Sequence, residues 1–440
     1  MDKVATNPKG LDTTLVAQML RLRWYIYGIL CLGYFLVYFH RVSTAVVAPE
    51  LTEAFGLTAA SLGLLSSAYF YPYALAQIPS GILTDYLGPR KTVTFFILVA
   101  AIGAFLFGTA STYSWAIVGR SLVGLGVAFI YIPVMKILAE WFRQHEFATL
   151  TGLLLSVGNI GALSAAAPLS LLVGAAGWRN SFIYIGAVTV ILAIGCWLII
   201  RNKPQDMGLP TVYDIDGSAP PAGSTDSLTL KESMKLIVSN RNFWLLSLWY
   251  FVFYGTVMGF QGLWATPYLI DTQSLAKPAA IQILTYIALG MICGCPLSGY
   301  LSDRVLHSRK KVLIIGTVLY TFSWLLLIVI SNSQPAFIPY LFFAMGFFGG
   351  FFVVIYAWFK ELMPSKIVGT AIGAMNFFPF VGGAIFQQIM GSIIGSYQRI
   401  NGAYPLDAYI NSFWFCFASL AIVTIAIPFA SENQSLKRKA

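Results

Sequence analysis

The sequence predicts an all-α membrane protein in which twelve transmembrane helices form two pseudo-symmetric six-helix halves. Three observations predict this fold class: the composition, the number of long apolar runs, and a segment that occurs twice. Apolar residues make up 58% of the 440 residues and charged residues only 10%. A soluble protein of this length would carry roughly a quarter charged residues, so the composition indicates a chain that lies mostly in lipid.

The apolar runs give the number of membrane crossings. A helix needs about 20 apolar residues to cross roughly 30 Å of hydrocarbon. Runs of that length lie at approximately 24–48, 60–83, 92–111, 115–139, 147–174, 180–201, 243–270, 280–301, 311–331, 336–359, 367–395 and 408–430. A polar stretch separates the first six from the last six, which predicts an N-terminal six-helix bundle (1–201), a cytoplasmic linker (202–242) and a C-terminal six-helix bundle (243–440). The linker ends in an amphipathic pattern, from Leu228 to Val238, that is expected to lie on the membrane surface.

The positive charges predict the orientation. The net charge is +10, but lysines and arginines lie in short loops between apolar runs, a pattern typical of membrane topology and not of nucleic-acid binding. With the N-terminus inside, the external loops hold only Arg179, Lys277 and Arg399. We therefore expect both termini in the cytoplasm and a multi-pass protein of a bacterial inner (plasma) membrane. Met1 to Gln18 is polar, so no cleavable signal peptide is expected.

Several kinds of chemistry are not expected. All five cysteines lie inside apolar runs, and Cys293-x-Cys295 lacks partner ligands, which argues against disulfides and against a metal site. The spans contain no set of nucleophile, base and acid, so an enzyme is not expected, nor is a cofactor. The expected partners are the bilayer and a small-molecule substrate, and the chain is expected to be a monomer.

One segment occurs twice at a constant offset. Ser80-Gly81-Ile82-Leu83-Thr84-Asp85 recurs 218 residues later as Ser298-Gly299-Tyr300-Leu301-Ser302-Asp303. A repeat of this length indicates a duplicated domain. Each aspartate lies at a helix end near cations, where ion pairs can latch and release, so we expect a gate formed by Asp85, Arg90, Asp303 and Arg304. The alternative is an ordinary positively charged loop with a turn.

Three basic residues lie inside predicted spans, where charges are costly: Arg41, Arg120 and Lys136. Tyr34 and Tyr38 share one helix face with Arg41, and a similar stripe in the seventh span holds Tyr250, Tyr254 and Gln261. We expect these stripes to line a substrate site, with Arg41 holding a carboxylate through two hydrogen bonds. The alternative is that Arg41 bonds backbone carbonyls and only packs helices.

Two motifs resemble those of the major facilitator superfamily. Gly81-x-Leu83-x-Asp85-x-x-Gly88-x-Arg90-Lys91 is similar to its signature loop, and Arg120-x-x-x-Gly124-x-Gly126 is similar to its second motif. The resemblance implies the major facilitator fold, a transporter that works by alternating access, and a gating role for the loop. Glycines such as Gly124 and Gly126 let helices approach closely, so Arg120 is expected to be a packing or relay residue.

A narrower resemblance is to the organophosphate:phosphate antiporters and the related anion:cation symporters. It is carried by Tyr34 to Arg41, by Lys136 to Glu146, and by Lys203 to Pro210. The resemblance implies that Arg41 binds an anionic substrate and that Lys136, in place of the usual arginine, contributes to the same site.

Two departures from that group bear on the substrate and on the driving ion. The antiporters carry a second arginine in the seventh span, whereas Tyr254 to Trp264 contains no cation. A dianionic phosphate would be poorly neutralised by Arg41 alone, so we expect a monoanion, such as a small carboxylate or sugar acid. The symporters place an aspartate where this chain has His40, and histidine can change charge near neutral pH.

Proton coupling is therefore expected through His40 or Glu140. The alternatives are a neutral His40 hydrogen-bonded between helices and a Glu140 that only pairs with Lys136 or Arg143. The sequence as a whole predicts a secondary active transporter of a small organic anion. Two other functions stay open: export of a neutral or lipophilic small molecule, and a transporter-like sensor.

Overall fold

The computed structural model describes residues 12–216, 230–333, 335–363 and 368–431, which are almost entirely helical and contain no β-strand. The central part of the linker, including Leu228, lies outside the described residues, as do the basic residues at both ends of the chain and Lys366. The remaining part of the amphipathic pattern forms a short helix, α10, at Leu230–Val238.

The first half of the chain contains eight helical segments. Their bounds are α1 Thr13–Phe55, α2 Ala59–Ser67, α3 Phe70–Leu87, α4 Pro89–Thr109, α5 Tyr113–Ala128, α6 Tyr131–Trp141, α7 Gln144–Ser164 and α8 Ala167–Ile199. A 3₁₀ turn at Pro204–Met207 and α9 at Val212–Asp216 begin the linker.

The second half repeats this arrangement with different interruptions. Its helices are α11 Arg241–Gly259, α12 Ala265–Gln273, α13 Lys277–Tyr300, α14 Arg309–Ser333, α15 Ile338–Gly349, α16 Val354–Leu362, α17 Val368–Gly395 and α18 Leu406–Ala426. Short π-helical segments follow α11 and α13 at Phe260–Trp264 and Leu301–Val305. Short 3₁₀ turns lie at Pro335–Phe337, Gly350–Val353 and Ile427–Phe429.

These segments make twelve crossings, as the apolar runs predict. Among the described residues, ten stretches are long and apolar enough to cross a membrane by length and composition. One of them, Thr149–Ile199, is 51 residues long and turns at Gly177, whose φ of 78° lies in the left-handed region, so it crosses twice. The pair α2–α3, with a more polar sequence, provides the remaining crossing.

Interrupted helices position the interior side chains. The second crossing breaks between Ser67 and Phe70, and the fourth between Ala128 and Tyr131. Non-helical backbone at membrane depth is tolerated where protein covers it or where it lines a cavity. These breaks therefore indicate where a site can form between the helices.

The same close helix contact is found in both halves. A Cβ atom added at Gly161 in α7 would lie 2.1 Å from the carbonyl oxygen of Phe35 in α1. A Cβ atom at Gly382 in α17 would lie 2.1 Å from the carbonyl oxygen of Phe251 in α11. Helices one and five, and seven and eleven, thus pack backbone against backbone, which only small residues allow.

Gly124 provides a test of this packing. Its added Cβ would lie 2.0 Å from the carbonyl oxygen of Tyr69, whereas a Cβ at Gly152 would meet nothing within 4 Å. We expect Gly124→Ala to lower the free energy of unfolding by about 1–3 kcal/mol because helices α3 and α5 must separate. Gly152→Ala is the matched control and should leave the melting temperature in detergent unchanged or slightly raised. Equal melting temperatures for the two variants would contradict the close contact.

Candidate functional site

Arg41 lies within α1 at the contact between the two halves, and only 4% of its surface is exposed. Its Nη1 donates a hydrogen bond to the hydroxyl of Tyr254 at 3.1 Å, and its Nη2 donates to the hydroxyl of Tyr73 at 3.5 Å. Tyr73 belongs to α3 and Tyr254 to α11, so the guanidinium joins the first half to the second.

Aromatic faces cover the rest of the Arg41 guanidinium. Its central carbon lies 4.4 Å from the ring centroid of Tyr38 and 5.2 Å from that of Phe380. Rings at this distance attract a cation. The expected stripe of Tyr38 and Arg41 is therefore a direct contact, whereas the contacts of Tyr73 and Phe380 with Arg41 are not expected from the sequence. The spacing of Tyr69 and Tyr73, one helical turn apart, is the signal that would have indicated Tyr73.

The positive charge of Arg41 is not neutralised by an acid. In the described residues no carboxylate pairs with it, and its Nε has no hydrogen-bond partner. Arg41 is expected from the sequence to hold a substrate carboxylate, whereas in this structure two phenols bind its guanidinium and side chains enclose it. Phenols are neutral acceptors, however, so an anion would still be attracted to this position.

A cluster of tyrosines continues from Arg41 along the contact between the halves. Tyr34 packs against Tyr38 and Tyr131, with ring centroids 5.3 and 5.7 Å apart. In the second half the hydroxyls of Tyr250 and Tyr356 are 2.8 Å apart, and Tyr356 donates to the side-chain oxygen of Asn376 at 3.0 Å. This tyrosine cluster is partly exposed at Tyr38, Tyr131, Tyr356 and Asn376.

The two ends of the molecule differ in the bonds that they hold. At the end that contains Glu50, called the Glu50 end here, Lys277 pairs with Glu50 across the two halves. At the same end Ala59 donates its N–H to the hydroxyl of Tyr404 at 3.0 Å, and Arg399 donates to the carbonyl of Leu57 at 3.2 Å. These bonds hold the halves together at the Glu50 end.

At the opposite end, called the Asp85 end, none of the ion pairs among the described residues joins the two halves. Lys136 donates to Asp85 at 2.6 Å and to the carbonyl of Thr84 at 3.3 Å. The structure therefore places Lys136 with the expected gate residue and away from the phenols that hold Arg41. Arg90, expected to act with Asp85, instead donates to the carbonyl of Trp197 at 2.8 Å and lies over its ring.

The second copy of the repeated segment uses a different cation from the one expected. Arg309 pairs with Asp303 and, at 3.1 Å, with Glu361. Arg304, the expected partner, is exposed. The two aspartates thus both lie in ion pairs, but the lysine or arginine in each pair comes from a different place in the chain.

His40 lies next to Arg41 in sequence but faces another helix. Its side chain is fully buried, and neither ring nitrogen has a hydrogen-bond partner among the described residues. Its carbonyl oxygen accepts from both terminal nitrogens of Arg120 at 3.2 and 3.3 Å. The alternative of a His40 ring hydrogen-bonded between helices therefore finds no partner in the described structure.

Arg120 is 1% exposed and lies over the rings of Tyr69 and Phe107. With its terminal nitrogens on the His40 carbonyl, it binds one helix to another, which is the arrangement of a packing residue. The neighbouring Gly126 lies where an added Cβ would be 2.4 Å from the backbone nitrogen of Ala100.

The remaining expected site residues lie apart from Arg41. Gln261 is half-buried in the π-helical segment beside a cavity of about 30 Å³ between α1, α7 and α13, which is large enough only for a water molecule. Glu140 is half-buried near the Asp85 end. Its expected partners Lys136 and Arg143 are paired with Asp85 and Asp216.

Comparisons with known proteins agree with this architecture. A sequence profile of the Major Facilitator Superfamily matches residues 30–387 and 273–437. A bacterial homologue of the human lysosomal transporter Spinster, solved in an inward-facing and unoccupied conformation, has a TM-score of 0.71 at 19% identity. That similarity covers 93% of this chain and 97% of the other, and it shows the fold.

Several curated transporters are similar over most of their length. A probable sulfoacetate transporter of Cupriavidus necator is 27% identical, over 90% of this chain and 91% of its own. The glycerol-3-phosphate transporter of Bacillus subtilis is 26% identical, over 89% and 90%. The D-galactonate transporter of Escherichia coli is 26% identical, over 85% and 89%. The chain is an integral, multi-pass membrane protein that belongs to the Major Facilitator Superfamily, a family of transporters and not of enzymes.

Proposed function

We propose that this protein is a secondary active transporter that moves a small organic anion, such as a carboxylate or sugar acid, by alternating access. The observation that carries the proposal is Arg41, a buried cation held at the contact between the halves by neutral phenols. A substrate carboxylate can replace those phenols and accept two hydrogen bonds from the guanidinium.

The similar transporters support an anionic substrate in general. The named substrates sulfoacetate, glycerol 3-phosphate and galactonate are all anions, but they differ in charge. The choice of a monoanion rests on this chain, because Arg120 is bound to a backbone carbonyl and Lys136 to Asp85. One positive charge then faces the tyrosine cluster, and burying a second negative charge there would be costly.

The tyrosine cluster supports a hydroxylated substrate. Tyr250, Tyr356 and Asn376 lie in the half opposite α1 and form a chain of neutral hydrogen-bonding groups. Such groups can bind hydroxyls while Arg41 holds the carboxylate, so that one substrate molecule contacts both halves. The same rings are also the observation that favours a second candidate, export of a neutral or lipophilic small molecule.

Alternating access needs bonds that break at one end and form at the other. We propose residues 1–201 and 243–440 as the two moving units, joined by the linker at 202–242. The bonds of Glu50, Ala59 and Leu57 with the second half would break to open the Glu50 end. Asp85 with Lys136, and Asp303 with Arg309, would act as gates at the other end.

Proton coupling is the other part of the proposal. His40 lies beside Arg41 in sequence, and its ring is fully buried with no hydrogen-bond partner among the described residues. Because burial disfavours a charged imidazole, His40 would take up a proton only when the halves part and water reaches it. Glu140 is the second candidate, since the cations near it are paired elsewhere. Either residue could bind a proton from one side of the membrane and release it on the other.

Substitution of Arg41 tests the substrate class. Hydrogen bonds to a charged group contribute about 1.5–3 kcal/mol each, so Arg41→Ala should weaken the binding of an organic acid by at least about tenfold. Arg41→Lys should restore binding poorly because an ammonium cannot form the two parallel bonds. The measurement is substrate affinity in detergent alongside the melting temperature. Arg120→Lys is the matched control, because this arginine is equally buried but bound to the His40 carbonyl. If Arg41→Ala binds the substrate with near-parental affinity but has a lowered melting temperature, Arg41 has only a structural role.

Substitution of Asp85 tests the gate. Asp85→Asn should slow turnover more than it weakens binding, because the carboxylate contacts Lys136 and not the tyrosine cluster. Lys136→Gln should have a similar effect, and the double variant should be no slower than the slower single variant. Uptake rates into proteoliposomes at saturating substrate give the measurement, with Asp206→Asn on an exposed turn as control. Initial rates equal to those of the parent would exclude this role.

External pH tests proton coupling. Transport should quicken as external pH falls, because the larger inward proton gradient would drive substrate into the vesicle together with protons, and a protonophore should remove the effect. His40 and Glu140 should each be replaced by glutamine. The variant that lacks the proton-carrying residue should lose the pH dependence of transport, and the other variant should keep it. Uptake that is insensitive to both pH and protonophore would indicate a uniporter or an exchanger.

A further inference from the structure

A groove of about 520 Å³ lies on the outer surface between α4 and α8, near the Asp85 end. Its walls are apolar and strongly exposed: Phe95 is 60% exposed, Ile194 54% and Trp197 44%. Because α4 and α8 are transmembrane helices, these side chains face the acyl chains of the bilayer. The groove is distinct from the tyrosine cluster at the contact between the halves.

Three cations lie at the Asp85 end of this groove. Lys91 lines it and is exposed, and Arg90 lies over the ring of Trp197 at 4.2 Å. Arg201 follows α8 and adjoins Asn202, which bonds the backbone of Arg90. Its Nη1 donates to the carbonyls of Leu198 and Ile200, whereas its other two nitrogens have no hydrogen-bond partner among the described residues. In the described parts of the chain no carboxylate pairs with any of the three. This concentration of positive charge favours an anion from outside the protein.

A buried hydroxyl without a partner lies at the same place. Thr94 lines the groove one turn beyond Arg90, is 9% exposed, and its Oγ1 has no hydrogen-bond partner in the part of the chain that the structure describes. A threonine in a helix usually donates to the carbonyl four residues earlier. The hydroxyl of Thr94 is therefore an unpartnered polar group in the wall of the groove.

We propose that this groove binds an anionic phospholipid. The phosphate would lie among Arg90, Lys91 and Arg201, and an acyl chain would follow Phe95 and Ile194 down the groove. The combination decides the class of ligand, because a free phosphate would gain nothing from the apolar walls and a neutral lipid would gain nothing from the cations. Juxtamembrane cations typically attract anionic headgroups in this way.

The site has a direct connection to the repeated segment. The side-chain oxygen of Asn202, next to Arg201, accepts a hydrogen bond from the backbone nitrogen of Arg90 at 2.9 Å. A Cβ atom at Gly88 would lie 2.7 Å from the Asn202 side chain. A lipid that binds Arg90 and Arg201 together would hold the loop after Asp85 against the start of the linker.

Thermal unfolding of the full chain in detergent tests the proposal. Phosphatidylglycerol should raise the melting temperature, because a ligand that binds only the folded state stabilises it. Phosphatidylcholine with the same acyl chains, and glycerophosphoglycerol, the headgroup without acyl chains, should raise it much less. Lys91→Gln and Arg201→Gln should each reduce the shift produced by phosphatidylglycerol. Lys311→Gln, an exposed lysine at the start of α14, is the matched control and should keep the full shift.

Lipid retention measured by native mass spectrometry gives a second readout that does not depend on the stability of the variants. The parent should retain phosphatidylglycerol and Lys91→Gln should lose it. Equal effects of the two phospholipids, or an undiminished shift in both groove variants, would overturn the proposal. An equal shift from glycerophosphoglycerol would also overturn it, since it would indicate an anion site without a lipid.

Discussion

A guanidinium buried in the membrane without a carboxylate is the constraint on which the arrangement of the site depends. A charge at the centre of a spanning helix costs several kcal/mol even by lenient scales. Around Arg41 this cost is offset by two phenolic acceptors and by aromatic faces from α1 and α17. These groups come from both halves, so the cation is best solvated when the halves are together. In the proposed transport cycle an anion would replace that contact when the halves part.

The helices within each half pack differently from the two halves at their contact. Within each half, glycines such as Gly161 and Gly382 bring backbones together, and such a contact resists sliding because it leaves no space. Between the halves at the Glu50 end, the structure instead uses an ion pair and single hydrogen bonds. Bonds of this kind can be exchanged for water, which suits surfaces that separate and meet again.

Features that depend on helical periodicity can be predicted from the sequence. Contacts that depend on where helices break or end cannot. Apolar runs give the twelve crossings, and the helical stripe of Tyr38 and Arg41 gives a true contact. The partners of Arg90 and Asp303 are missed, because they depend on how the chain turns at helix ends and at the π-helical segment after α13. Phe380 is missed for another reason: an uncharged ring in an aromatic-rich helix carries no signal that separates a site from packing.

The two copies of the repeated segment show how duplication can preserve a position while changing its energetics. Asp85 pairs with Lys136, and the position 218 residues after Lys136 is Val354, so the second copy cannot form the same pair. Asp303 instead uses Arg309, which Glu361 also binds. The side chain of Asp85 is 78% exposed, and such a pair contributes only about 0–1 kcal/mol. A weak, exposed pair in the first copy and a network of three charges in the second make the ion pair of the first copy the easier one to break.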